Sequence, residues 1–86
     1  MGETAENRLK RLKMRSWRRG TKEMDMILGP FADAEIAGLT PETLDLYEAL
    51  LSENDQDLYV WMSGQEPLPP EHAEIGGIIR KFHKLA

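Results

Sequence analysis

The chain has no cysteine. Without a thiol it cannot form a disulfide, a thiolate nucleophile, or a zinc or iron–sulfur site built on thiolates. It also lacks any apolar run of the ~18–20 residues that a membrane-spanning helix needs, and residues 1–13 contain no apolar segment typical of a secretory signal. We therefore expect a protein of the cytoplasm that is not inserted into a membrane.

Catalytic motifs are also missing. The two histidines, His72 and His83, are eleven residues apart on one predicted helix, so they do not form the i, i+4 pair of a helical zinc site. Ser16, Ser52 and Ser63 lack the G-x-S-x-G context of an activated serine, and no glycine-rich phosphate loop follows a predicted strand. The sequence predicts no catalytic residue, no metal site, no tightly bound cofactor, and hence a protein that is not an enzyme.

Strand patterns are scarce, because no long stretch alternates with period two and β-branched residues are few. Apolar residues recur at helical spacing instead, as in Met24, Ile27, Leu28 and Phe31. A chain of 86 residues is long enough for one domain and too short for two. We expect an all-α fold, a compact single-domain bundle of about five short helices over residues 1–86, in which residues 1–7 could be flexible.

Helix start and stop signals divide the chain. Gly20, free to adopt positive φ, predicts the end of a first helix that runs from about Thr4 to Arg19. Thr21 would cap a second helix, which Pro30 either ends or kinks. The adjacent Gly76 and Gly77 suggest a close approach between helices. Further starts and one stop are indicated at Thr40-Pro41, Asn54, Pro70 and Gly64.

Charges are segregated along the chain. Residues 1–23 hold eight basic and three acidic side chains, whereas residues 24–79 hold twelve acidic side chains and neither Lys nor Arg. The pattern favours a basic N-terminal arm that is either solvated or paired with the acidic middle of the same fold. The second hypothesis is a small helical nucleic-acid-binding or regulatory adaptor module that uses this arm.

The predicted corner between the first two helices is the best candidate for a binding site. A glycine leaves the backbone bare, so that a partner chain could approach closely. Arg19 offers a planar fork to a partner's carboxylate or carbonyl, and Glu23 could pair with a partner's cation or hold Arg19 in place. The same residues also make a complete structural corner. For the aromatic residues Trp17, Tyr59 and Trp61, core packing and an exposed binding role both remain open.

These residues carry a resemblance to a known family. The segment Arg19-Gly20-Thr21-Lys22-Glu23 reads R-G-x-x-E, preceded by Arg18 and followed by Asp25. The pair Pro30-Phe31 and the stretch from Asp55 to Trp61, which reads D-x-D-L-aromatic-x-W, complete the pattern. Over about residues 8–83 the chain resembles the FAD assembly factors of succinate dehydrogenase, called SdhE in bacteria and succinate dehydrogenase assembly factor 2 in mitochondria.

The resemblance implies a five-helix, non-enzymatic assembly factor. Such a factor binds the flavoprotein subunit of succinate dehydrogenase, and in bacteria also that of fumarate reductase, and promotes covalent attachment of FAD within that subunit. It implies a contact surface of Arg19, Gly20 and Glu23, with Arg18 and Asp25 beside it. Trp17, Tyr59 and Trp61 would support the fold or join the interface. We expect a monomer when free, no nucleic-acid partner, and a flavin that is attached to the partner rather than held tightly here.

Overall fold

The computed structural model describes residues 2–84, and within this range it contains helices and turns but no strand. The five α-helices are α1 (Ala5–Trp17), α2 (Lys22–Glu35), α3 (Pro41–Leu51), α4 (Asp55–Met62) and α5 (Ala73–Phe82). Short 3-10 turns lie at Ile36–Gly38 and Pro70–His72. The predicted all-α bundle of five short helices is confirmed.

Four helices begin at a side-chain cap. The side chains of Thr4, Thr21, Thr40 and Asn54 each accept a hydrogen bond from the backbone N–H three residues ahead. Each cap satisfies a backbone donor that has no partner inside the helix, which typically stabilises the fold by ~1 kcal/mol. Gly64 follows the end of α4 with φ 83°, so its predicted role as a helix stop is confirmed.

All five helices contribute to one apolar core. It includes the buried Phe31 ring, which lies 5.5 Å from the ring of Tyr47 and 5.6 Å from that of Phe82. The Tyr47 hydroxyl is buried and lies 2.6 Å from the Ser16 hydroxyl. Burial raises the pKa of Tyr47 to about 12, because the phenolate would be poorly solvated there. The other fully buried large side chains are Leu12, Met24, Leu28, Ile36, Leu50, Leu51, Leu58, Met62, Ile75 and Ile79.

The basic N-terminal arm packs against acidic residues of α3. Arg8 bonds to Asp45 at 2.6 Å and to Glu48 at 3.0 Å, and Arg11 bonds to Glu48 at 2.9 Å. Arg11 also pairs with Glu3 at 2.8 Å. The Arg11 and Arg8 guanidinium groups lower the pKa of Glu48 below its ordinary value. The prediction that the arm pairs with the protein's own acidic segment is confirmed for these two arginines.

Pro30 does not end α2, which continues to Glu35. Proline has no N–H to donate to the carbonyl four residues earlier, that of Met26, but Met26 lies at the surface where water can replace the donor. The carbonyl oxygen of the next residue, Ile27, lies 2.6 Å from Nε2 of His83. A carbonyl can only accept, so Nε2 of His83 carries the proton. Of the two alternatives for Pro30, an early helix end is therefore excluded.

Two predictions at the C-terminal end are wrong. Pro70 begins a 3-10 turn, and α5 begins only at Ala73, so His72 and His83 flank this helix instead of both lying on it. Gly76 makes room for the side chain of Leu68 in the preceding connector, not for another helix. Gly77 faces open space. No helix of residues 2–84 is long and apolar enough to cross a membrane.

Candidate functional site

The corner between α1 and α2 is fixed by Arg19. Its Nε donates to Asp55 Oδ1, its Nη1 to the Leu51 carbonyl and its Nη2 to the Glu53 carbonyl, each at 2.7 Å. The two carbonyls lie at the C-terminal end of α3 and just beyond it, where a cation is favoured by the helix dipole. Arg19 therefore joins the corner to the junction of α3 and α4.

Asp55 completes this arrangement from the first turn of α4. One carboxylate oxygen accepts from Arg19, and the other accepts from the backbone N–H of Gly20. The side chains of Arg19 and Asp55 are only 11% and 15% exposed, so the pair is largely shielded from water. Asp25 fixes the corner from α2, because its Oδ1 accepts from the Arg19 backbone N–H at 2.7 Å. The backbone of the corner is therefore held by one carboxylate from α2 and one from α4.

Gly20 is needed for close approach rather than for a left-handed backbone. Gly64 is the only glycine of residues 2–84 with positive φ, so Gly20 does not use its freedom to adopt one. A Cβ on Gly20 would lie 2.8 Å from Asp55 Oδ2, closer than such contacts normally come. The chain that approaches the bare glycine is the protein's own α4. Gly20 nevertheless remains exposed to solvent on its other side.

Arg19 and Glu23 have different roles from those predicted. The expectation of an open guanidinium fork at Arg19 is wrong, because three of its nitrogens already donate within the fold. Asp55, and not Glu23, holds Arg19 in place. Glu23 is exposed, and its carboxylate forms no ion pair or hydrogen bond within residues 2–84. Arg18 is exposed as well. That these residues contact a partner stays a prediction.

A groove of about 400 Å³ lies beside the corner, between the start of α2 and the outer side of α4. Tyr59, which is 41% exposed, lines this groove together with Glu23. The remaining lining residues are Thr21, Asp55, Gln56 and Val60. The fold thus brings the R-G-x-x-E segment and the D-x-D-L stretch together into one surface. Gln56 and Val60 were missed by the sequence analysis, although they lie within the stretch that carried the resemblance.

The two tryptophans lie outside this groove. Trp17 covers Gly29 of α2, where a Cβ would overlap its indole ring, and its Nε1 donates to Asp33 at 3.1 Å. Trp17 is nevertheless 40% exposed to solvent. Trp61 is half-buried and packs against the His72 ring, with ring centroids 5.5 Å apart. Both tryptophans therefore support helix packing, and Trp17 also presents surface to solvent.

Candidate cofactor and metal ligands are few. His72 is buried and its Nε2 lies 2.7 Å from Glu53 Oε2. Across residues 2–84 no three His, Asp or Glu side chains gather in a way that could hold a metal ion. The chemistry that the corner can supply is recognition, through the exposed Glu23 carboxylate, the Tyr59 ring and the bare backbone at Gly20.

Known proteins similar to this chain agree with the resemblance. The Sdh5 family, described as "Flavinator of succinate dehydrogenase", matches residues 10–86. The FAD assembly factor SdhE of Legionella pneumophila (strain Lens) is 39% identical over 75 residues, which cover 87% of this chain and 95% of the relative. The SdhE of Acetobacter pasteurianus is 41% identical over 66 residues, 77% of this chain and 61% of the relative.

A mitochondrial relative is similar over more of this chain. Succinate dehydrogenase assembly factor 2 of Mycosarcoma maydis is 35% identical over 84 residues, which cover 96% of this chain. The match spans 35% of that relative's own length. These relatives are named assembly factors rather than enzymes, as expected, and none is named for nucleic-acid binding. The nucleic-acid hypothesis is therefore not supported.

Proposed function

The chain belongs to the Sdh5 family, the flavinators of succinate dehydrogenase, and we propose that it is an FAD assembly factor. In this function it binds the flavoprotein subunit of succinate dehydrogenase and promotes the covalent attachment of FAD to that subunit. The proposal is supported by a family match over residues 10–86 and by the similarity to the SdhE of Legionella pneumophila (strain Lens), 95% of which is covered by the match.

One observation carries the docking part of the proposal. Glu23 presents a carboxylate that is exposed and unpaired within residues 2–84, next to the exposed backbone of Gly20. The corner that presents it is held rigidly by the Arg19–Asp55 pair. A surface that is already fixed in the free protein loses little conformational entropy when it binds, which favours affinity. Arg19 acts here as a positioning residue, and Glu23, Gly20 and Tyr59 supply the contact surface.

The proposed mechanism needs binding energy and no catalytic group. A factor promotes flavin attachment when it binds the conformation in which attachment proceeds more tightly than it binds the others. Each tenfold difference in affinity shifts the two populations tenfold, which corresponds to about 1.4 kcal/mol. In this scheme FAD is held by the flavoprotein, and the assembly factor binds no flavin tightly of its own.

Several finer points belong to the same proposal. We propose that the free protein is a monomer, that the flavoprotein of fumarate reductase is a further partner, and that the protein acts in the cytoplasm. The relatives that are named mitochondrial make the mitochondrion the alternative compartment.

The docking claim can be tested with a matched pair of variants. Glu23 and Glu42 are both exposed and both lie in the first turn of a helix, so replacing either by alanine removes the same favourable interaction with the helix dipole. Glu42 lies at the other end of α3 from the corner, about 15 Å away along the helix. Binding of each variant to the purified flavoprotein subunit would be measured by calorimetry.

The proposal predicts that Glu23→Ala raises the dissociation constant by about tenfold or more, in the range found for lost charged contacts at interfaces. Glu42→Ala should bind like the unaltered protein. If both variants bind equally well, the corner is not the docking surface.

A further inference from the structure

The solvent-facing side of α1 forms a second groove, which reaches the corner at Arg18 and Arg19. Asn7, Arg11, Met14, Arg15 and Arg18 are spaced so that they share one helical face, and together with Arg19 they line a groove of about 520 Å³. We call this surface the α1 groove. It contains four arginines and no acidic side chain, whereas the groove at Glu23 and Asp55 is acidic.

The arginines of α1 and the corner fall into two groups. Arg8, Arg11 and Arg19 are neutralised by carboxylates of the fold at 2.6–3.2 Å. Arg15 and Arg18 form no side-chain hydrogen bond or ion pair with any residue between positions 2 and 84. A guanidinium group presents its donors in a planar fork that matches a carboxylate. The α1 groove therefore has two guanidinium groups, those of Arg15 and Arg18, that bind no side chain or carbonyl of the described residues.

An exposed methionine lies between these arginines. Met14 is 52% exposed, and among the large apolar side chains of the described range only Met26, at 55%, is more exposed. Methionine is flexible and polarizable and adapts to differently shaped partners. Protein–protein interfaces are enriched in arginine and methionine relative to the rest of the surface. The composition of the groove is therefore that of a protein contact with an apolar centre and a charged rim.

We propose that the α1 groove is a second docking surface, which takes an acidic segment of the flavoprotein partner. Carboxylates of that segment bind Arg15 and Arg18, and an apolar side chain packs on Met14. This inference rests on the proposed function, because it names the same partner. Arg18 is separated from Gly20 by one residue, so a single partner can contact the corner and the groove together.

Charge complementarity favours a short acidic segment over a long polyanion. Residues 24–79 carry twelve acidic side chains and no Lys or Arg, so an extended nucleic acid would be repelled as soon as it left the groove. An acidic segment of a folded protein can place a few carboxylates on the two free arginines without extending over the acidic remainder. The opposite charges of the α1 groove and of the groove at Glu23 would also fix the orientation of the partner.

The test compares two double variants with the same change in net charge. In Arg15→Gln/Arg18→Gln both forks are removed, while in the control Lys81→Gln/Lys84→Gln two cations are removed from the C-terminal end of the chain. Circular dichroism would establish that both remain helical. Binding of the unaltered protein and of both double variants to the purified flavoprotein subunit would be measured at 50 and 300 mM NaCl. Binding of Met14→Gln would be measured at 50 mM NaCl.

We expect the arginine pair variant to bind about tenfold or more weakly at 50 mM NaCl and to lose most of its salt dependence. The control should stay within about twofold of the unaltered protein, and Met14→Gln should weaken binding several-fold. Unchanged affinity of the arginine variant, with Glu23→Ala still impaired, would overturn this inference and leave the proposed function intact. Failure of the unaltered protein to bind the flavoprotein would overturn both.

A labelled single-stranded 20-mer oligonucleotide at 50 mM NaCl provides the remaining comparison. The inference predicts weak or no binding of this probe. Tight binding that disappears in the Arg15→Gln/Arg18→Gln variant would assign the α1 groove to nucleic acid and contradict the docking role.

Discussion

Arg19 and Asp55 form the interaction on which the corner depends. The pair is mostly shielded from water, and the guanidinium also satisfies two carbonyls at the end of α3. When one partner of such a pair is removed, the other charge is left largely buried and unpaired, which is strongly destabilising. The R-G-x-x-E motif identifies Arg19 from sequence. Its carboxylate partner, 36 residues away, could not be identified because only the tertiary fold brings the two together.

Replacing Arg19 by alanine is expected to lower the free energy of unfolding by about 3 kcal/mol, from the penalty for an uncompensated carboxylate and two lost carbonyl acceptors. Arg19→Lys keeps the charge but not the fork, so it should recover only part of this loss. Urea denaturation followed by circular dichroism measures both. A loss below about 1 kcal/mol for Arg19→Ala would mean that the corner does not depend on this pair.

Tyr47 makes stability sensitive to alkaline pH. Its folded pKa of about 12 is above the ordinary value of 10, so its contribution is complete below pH 10 and is lost as the pH rises toward 12. Two pKa units correspond to about 2–3 kcal/mol. Tyr47→Phe loses the bond to Ser16 at every pH, but it cannot ionise. Denaturation at pH 8 and at pH 11.5 would measure the difference in the free energy of unfolding between the unaltered protein and Tyr47→Phe. This difference should be smaller at pH 11.5 than at pH 8, or change its sign. A constant difference would contradict this account of burial.

The packing of α1 on α2 depends on Gly29, whose contact with α1 the sequence alone does not reveal. The indole ring of Trp17 occupies the space over Gly29 where a Cβ would stand. The starts of the four helices with side-chain caps could be predicted from sequence, because each depends on a local residue such as Thr21 or Asn54. The uninterrupted passage of α2 through Pro30 and the contact of Gly76 with Leu68 could not be predicted, because both depend on how residues outside the helix pack against it.

Alanine substitutions at two helical glycines are predicted to change the free energy of unfolding in opposite directions. Gly29→Ala should lower the free energy of unfolding by roughly 1–3 kcal/mol, because the methyl group displaces the Trp17 ring. Gly77→Ala, in α5 with open space around it, should raise it by up to about 1 kcal/mol, because alanine has the higher helix propensity. Thermal and urea denaturation measure both changes. Destabilisation of similar size in both variants would contradict the contrast drawn here.

For the whole molecule, the basic and acidic segments serve two purposes. Arg8 and Arg11 fasten α1 to α3, while Arg15 and Arg18 remain available on the surface. The segregation of charge could be read from the sequence, but the division between fastening and available arginines depends on helix register and on which face of α1 meets α3. The fold class followed from helical periodicity, and the family followed from the motif. The groove beside Glu23 required the packing of α4 against the corner.

The most direct test of the proposed function measures covalent flavin in cells. In cells that lack this protein, the flavoprotein subunit of succinate dehydrogenase should show little flavin fluorescence on a denaturing gel, although the subunit itself is present. The unaltered protein and Glu42→Ala should restore the fluorescence, and Glu23→Ala should restore only a small part of it. Full fluorescence of the subunit in cells without this protein would contradict the central claim.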